Sequence, residues 1–142
     1  MSEQKKQVVL KFIEAMSTSD ADTAATCLAP DAFTLAMGFG KFAGVRRFDT
    51  ILATIAAFKE LVPTGLRVDT KSVTAEGERV VVEFEGNATL RNGASYCNQY
   101  CMVFTVREGK IKQVNEYFCT KLADEVLYPL VATMQGLQVN KS

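Results

Sequence analysis

Residues 66–119 read LRVDTKSVTAEG ERVVVEFEGNATLRNG ASYCNQYCMVFTVREG KIKQVNEYFC, with apolar side chains recurring every second position. Three turn pairs, Glu76-Gly77, Asn92-Gly93 and Glu108-Gly109, divide the segment into four runs rich in Val, Thr, Tyr and Phe. Runs of that kind, joined by tight glycine turns, predict a four-stranded antiparallel meander. The strands are expected at about 66–75, 79–90, 95–106 and 111–119.

Upstream the period changes to that of helices. Val9, Phe12, Ile13 and Met16 form one helical stripe, predicting a helix over 3–17. Ser19 followed by Asp22 reads as a capping box, and Ala21, Ala24, Ala25 and Leu28 give a short second helix before Pro30. Asp31 to Met37 contains the β-compatible Phe33 and Thr34, and Gly38, Gly40 and Gly44 mark a pliable loop that matches no phosphate-binding fingerprint. Phe48, Ile51, Leu52, Ile55 and Phe58 form the strongest helical stripe, ended by Pro63 and Gly65, so a third helix is expected over about 46–61. Downstream of the meander, 121–134 is weakly helical and 135–142 is a polar tail expected to fray. The whole therefore reads as one α+β domain over 1–134, a curved antiparallel sheet wrapped around three N-terminal helices.

Composition narrows the function classes. The chain has 142 residues, 48% of them apolar, with 16 basic and 16 acidic side chains, enough for one self-sufficient core. Zero formal charge and no run of Lys and Arg beyond two argue against nucleic acid as a partner. There is no His, which removes catalytic triads with imidazole and His-ligated metals from consideration; neither a metal nor a cofactor is implied. Cys97 and Cys101 on one strand would sit about 13 Å apart at ~3.3 Å per residue, beyond the ~7 Å reach of a disulfide. Together with Cys27 and Cys119 they read as reduced, small buried hydrophobes of a cytoplasmic protein. Met1 to Lys6 is polar, Lys11 interrupts the following apolar stretch, and Val126 to Met134 contains Pro129, so neither a secretory signal nor a membrane span is expected.

Chemistry concentrates on the last two strands. Tyr96, Asn98, Tyr100, Met102 and Phe104 share one face of the third strand, opposite Cys97, Gln99, Cys101, Val103 and Thr105. Two tyrosine hydroxyls and an amide on an otherwise apolar face point to a cavity with a polar handle, or to a core that supplies them with partners. Neither face is strongly charged, so a second subunit is expected to cover the outer one and form a homodimer through the sheet. On the last strand Glu116 stands between Val114 and Phe118. Turned inward, its carboxyl would be desolvated and suited to general acid–base work; turned outward, it would be a solvated surface group. Val80, Val82 and Phe84 read as the inward set, which favours an outward placement of Glu83 and Glu85, while a one-residue shift or bulge would turn both acids inward. Met37, Phe39 and Phe42 could form an adaptable lid.

The chain resembles the nuclear transport factor 2-like superfamily, on its SnoaL-like branch of polyketide cyclases and relatives of steroid isomerases and limonene-epoxide hydrolases. The resemblance spans about residues 5–132 and rests on Phe12 and Met16, Leu28-Ala29-Pro30-Asp31-Ala32, Gly44, and above all Tyr96 to Tyr117 with Phe104, Gly109-Lys110-Ile111 and Glu116-Tyr117-Phe118. It implies a cone of helices and bent sheet enclosing one apolar pocket, commonly in a homodimer. By similarity to the epoxide hydrolases, Tyr96, Asn98, Tyr100, Val114, Glu116 and Phe118 line that pocket, with Glu116 at the position of the water-activating carboxylate. The hydrolases' Arg and second Asp fall on Glu83 and Glu85, so their cationic member is missing; their water-holding Tyr and Asn fall on Thr34 and Ala36. The steroid isomerases' base falls near Ala36, and the dehydratases' His has no counterpart.

Two readings follow. One is a cofactor-independent lyase, isomerase or hydrolase acting on a small apolar, ring-containing metabolite. Glu116 would be its base and Tyr96, Tyr100 or Asn98 its hydrogen-bond donors, with Thr34, Met37, Phe39, Met102, Val114 and Phe118 against the ligand. The other is a non-catalytic ligand-binding or dimeric scaffold module of the same fold.

Overall fold

The computed structural model describes residues 2–134, so the tail expected over 135–142 lies outside the described residues. Its elements are α1 (Ser2–Ser17), α2 (Ala21–Cys27), β1 (Leu28–Ala36), β2 (Gly44–Arg47), α3 (Phe48–Leu61), β3 (Arg67–Glu76), β4 (Arg79–Thr89), β5 (Ser95–Arg107) and β6 (Lys110–Phe118). A continuous helical run closes the fold: α4 (Thr120–Leu122), a π-helical stretch (Ala123–Leu127) and α5 (Tyr128–Val131).

The meander forms as its turns dictate, with β3, β4, β5 and β6 pairing antiparallel in sequence order. Two further strands extend it into one six-stranded mixed sheet of order β2-β1-β6-β5-β4-β3, in which β1 runs parallel to β6. An antiparallel sheet is the sequence expectation; β1 instead joins β6 in the same direction, the chain between them passing through β2, α3 and β3–β5. The strand begins at Leu28, which sequence periodicity assigned to the second helix, and a register slip between Leu28 and Phe33 accommodates Pro30. The cap of α2 is Asp20, which accepts from the Thr23 amide at 3.1 Å; Ser19, the expected cap, instead occupies the left-handed turn at φ 60°.

The third helix starts at Phe48, two residues later than its stripe suggested. Gly44–Arg47 pair with Phe33–Ala36 as an edge strand instead, setting Thr34 beside Arg46. Alternation then decides which side chains enter the cone. Thr34 and Ala36, Val80, Val82 and Phe84, the even-numbered residues from Tyr96 to Phe104, and Val114 face the helices. Glu83 accepts from the Ser72 hydroxyl at 2.7 Å and Glu85 from Gln99, both on the outer surface. Of the four free cysteines only Cys27 is buried, whereas Cys97 and Cys119 are exposed on the convex side; the expectation of four buried thiols fails because odd-numbered positions of β5 point away from the core.

The inner face divides into two regions. Phe12, Phe104, Val106, Ile111 and Val114, all at or below 1% exposure, pack solidly with α1 and α2 at one end. At the other end a second cluster, Leu61, Val62, Leu66, Leu90, Tyr96 and Val131, gives Leu61, Tyr96 and Val131 to the wall of a void. No helix of the described residues is long and apolar enough to cross a membrane.

Candidate active site

The void is a cavity of about 190 Å³ bounded by α1, β1, α3, the inner face of β5 and β6, and the C-terminal helical run. Its walls are mostly aromatic and aliphatic. The polar exceptions are Thr34, Arg46, Thr54, Tyr96, Tyr100 and Glu116.

Glu116 reaches the cavity because β6 alternates Val114, Glu116 and Phe118 inward, and because its neighbour on β1 is the small Ala36. Burial pushes its carboxyl above the ordinary carboxylate range, and the charge of Arg46 opposes that rise. Arg46 enters from edge strand β2 and donates from Nη2 to the Phe42 carbonyl at 3.0 Å. Its guanidinium pKa is drawn down by burial and held up by Glu116. The two opposite charges therefore share one wall of the cavity.

A hydrogen-bonded chain faces them. The Tyr96 and Tyr100 hydroxyls lie 2.6 Å apart, and Asn98 Nδ2 donates to Tyr96 Oη at 2.9 Å and to the Cys119 carbonyl at 3.1 Å. Asn98 Oδ1 accepts from the amides of Gln99 and Cys119, so the amide is saturated and locked. Tyr100 stacks on Phe84 at a centroid distance of 4.8 Å and touches Phe118 at 5.8 Å. Glycine at position 86 permits this placement, since a Cβ there would approach Tyr100 Cε1 to 3.1 Å and Leu66 to 3.0 Å. Burial raises the phenol pKa of Tyr96 and, well above its usual value, that of Tyr100, where the neighbouring Tyr96 and Glu116 add to the effect. Both phenols therefore remain protonated donors at neutral pH.

The cover comes from two segments. Ala123, Leu127 and Val131, four residues apart, line the cavity from the C-terminal run, and Phe42 lines it from the glycine-rich loop. The segments are fastened by the Lys41 amide donating to Asp124 Oδ1 at 2.9 Å and by an edge contact between Phe42 and Tyr128 at 6.4 Å.

Of the residues singled out from sequence, Glu116, Tyr96, Tyr100, Thr34 and Phe118 converge on the cavity. Asn98 stands behind the tyrosines, bonded to Tyr96. Val114 and Met102 share the correct face but lie in the solid core, at 0% and 3% exposure. Phe39 projects fully into solvent, and Met37 is tied by its amide to the Glu116 carbonyl without lining the cavity; Phe42 is the loop residue that turns inward. Arg46 was missed: the cationic partner sought at Glu83 and Glu85 comes from the opposite edge of the sheet. The alternation of Val45 and Arg47 against Arg46, directly before the stripe beginning at Phe48, was the available signal. Among the described residues no group of three His, Cys, Asp or Glu is placed to hold a metal.

The profile of the SnoaL-like domain matches residues 9–114. Among solved structures, an NTF2-like protein from Burkholderia xenovorans LB400 superposes with a TM-score of 0.72 at 22% identity, covering 86% of this chain and 94% of its own. A protein assigned as a SnoaL-like polyketide cyclase, from Jannaschia sp. CCS1, gives 0.70 at 17% identity over 96% and 92% of the two chains. TerC, co-crystallised with polyporic acid, gives 0.74 at 19% identity over 88% and 98%. No curated protein matches the sequence.

Proposed function

The chain belongs to the SnoaL-like domain family, and from that membership and the cavity's geometry we propose a cofactor-independent acid–base enzyme acting on a small apolar metabolite. One observation carries the reading: a carboxylate, Glu116, stands on the wall of an apolar cavity that also holds the Tyr100 phenol. Burial raises the proton affinity of Glu116 toward the range in which a general base works at neutral pH, and Arg46 keeps its anionic form accessible.

The chemistry suited to this pair is proton transfer at carbon next to a carbonyl. Glu116 Oε takes the C–H proton, the electron pair moves onto the carbonyl oxygen, and the Tyr100 hydroxyl hydrogen-bonds the oxygen as charge develops there. The carboxylic acid then returns the proton to a different carbon, which isomerises the substrate, or to a leaving oxygen, which eliminates it. Asn98 orders the donors: by donating to Tyr96 it favours Tyr96 donating in turn to Tyr100, leaving the Tyr100 proton for the substrate. Thr34 and Phe118 shape the ligand's surroundings.

Glu116→Gln tests the assignment on any substrate found by screening cyclic ketones and enones. A general base contributes ~10²–10⁴ in rate, so kcat should fall by about that factor while the fold persists. Turnover unchanged by Glu116→Gln overturns the proposal. In the active protein kcat/KM should fall toward acid pH with a midpoint above the ordinary carboxyl range, since the base must be ionised.

The same reading includes a homodimer through the convex face. Val45, Leu35, Asn115, Val103 and Val81 form a continuous row across five strands there, with Val45 and Tyr117 among the exposed large hydrophobics. Sedimentation equilibrium should give twice the chain mass, and Val103→Lys should return it to one; a wild-type monomer at micromolar concentration rejects the dimer. With four free thiols the proposed compartment is the cytoplasm.

A further inference from the structure

One residue that lines the cavity carries a buried hydroxyl with no protein partner. Several hydroxyls in or just beyond helices turn back to the preceding turn: Ser17 and Thr18 donate to the Glu14 carbonyl, Thr26 to Thr23 and Thr133 to Leu130. Thr54 does not. Its Oγ1 is buried and makes no hydrogen bond, and it interrupts the α3 stripe Ile51, Ile55, Phe58 and Leu61 that otherwise presents only hydrocarbon to the cavity. A buried hydroxyl left unbonded is destabilising, and where it persists beside a void the missing partner is expected from the occupant. Threonine in a helix divides its χ1 between two wells, and moving between them exchanges the places of hydroxyl and methyl, so the group can meet a ligand without moving the helix.

The size of the void limits that occupant. An apolar cavity of ~150 Å³ holds one benzene ring, so about 190 Å³, in a pocket partly open to solvent, suits one substituted ring better than a fused pair. The opposite charges of Arg46 and Glu116 offset one another, which favours neither a cationic nor an anionic ligand.

We infer that the cavity selects an uncharged single-ring carbonyl compound bearing a second hydroxyl or carbonyl group, and that Thr54 is the specificity-determining residue that reads this second group. The inference rests on the cavity being the ligand site and adds the substrate class to it. Tyr100 takes the carbonyl, Thr54 takes the second oxygen from the α3 wall, and the hydrocarbon between them meets the isoleucines.

Protein-observed NMR titration of the full chain with cyclohexanone, its 2-, 3- and 4-hydroxy derivatives and 2-decalone tests this. A neutral hydrogen bond gained in a dry site is worth roughly a fivefold to tenfold change in Kd. One hydroxy isomer should bind tighter than cyclohexanone by about that factor, and the fused-ring ketone should not displace it. Thr54→Val, which keeps shape and removes the unbonded hydroxyl, should erase the gain, leave cyclohexanone binding unchanged and leave Tm equal or slightly higher; Thr54→Ser should restore the gain. Equal affinity of all hydroxy isomers and the parent ketone overturns the inference, as does a gain that survives Thr54→Val or a decalone that binds as tightly as cyclohexanone. Titrations in Glu116→Gln should keep the isomer preference. Loss of the Thr54 effect therefore leaves the acid–base reading standing, and turnover indifferent to Glu116 leaves the Thr54 assignment standing.

Discussion

Two ends of one sheet face behave differently, although the same strands build both. On β5, Phe104 and Met102 are packed solid against α1, while Tyr100 and Tyr96, one and three steps along the same alternation, border a void. On β6, Val114 is completely enclosed and Glu116 looks into the cavity. The filled end contains only hydrocarbon between its strands and helices; the hollow end collects the chain's buried phenols, a carboxylate and a guanidinium. The difference lies in what covers the strands. Helix α1 packs directly on β3, β4 and β6, and α3 on β1 and β2, whereas the C-terminal run closes the hollow end without a comparable approach to any strand. A face assignment thus identifies buried residues, and only the cover separates core from site.

The strongest way to break that comparison is to remove one aromatic ring from each end. Phe104→Ala should cost ~3–5 kcal/mol, because its neighbours cannot collapse into the space. Phe118→Ala, on the cavity wall and part-accessible, should cost under ~2 kcal/mol and enlarge the ligand space. Urea unfolding of both variants measures this, and equal costs would mean that the hollow end is packed as tightly as the filled one. Next in size, Tyr100→Phe should lower turnover of a carbonyl substrate by ~10²–10³, the usual cost of one oxyanion donor, with a modest drop in denaturation midpoint because a buried hydroxyl is left short of a partner. The Tyr96 hydroxyl would then lose its partner at 2.6 Å, so Tyr96→Phe should have a smaller effect on rate. A larger loss for Tyr96→Phe would reverse the order of donors assigned to the chain.

Sequence alone carried the filled end and half of the hollow one. Strands β3–β6 could be read because glycine turns and period-two patterning are local, and the same alternation placed Tyr96, Asn98 and Tyr100 together. Arg46 could not be read in that way. It sits in a four-residue edge strand that pairs with β1, and its proximity to Glu116 depends on the parallel pairing of β1 with β6, which joins residues some eighty positions apart. Alternation was equally silent on Val114 and Met102, which obey the same pattern as Glu116 and Tyr100 but lie where α1 descends onto the sheet. Phe39 and Phe42 are indistinguishable by composition; the link from Lys41 to Asp124 decides which of them turns inward.

The smallest effect separates the two ends by charge. Between the carboxyl pKa of the unfolded chain, ~4.3, and the raised value in the fold, Glu116 holds a proton in the folded state that the unfolded state has released. The unfolded state then binds fewer protons, so stability falls as pH rises through this window. Below it the group is neutral in both states and contributes no loss. Glu116→Gln removes this dependence, because the amide stays neutral throughout. Subtracting the variant's stability from that of the wild type should therefore give a difference that declines from pH 4 toward neutrality and then levels off. Val114→Thr at the filled end should give an offset without slope, as no ionisable group is introduced. Thermal unfolding at half-unit pH intervals distinguishes the two. A flat difference for Glu116→Gln would mean that its carboxyl is as well solvated as an exposed one, and the hollow end would then be a wet cleft instead of a dry site.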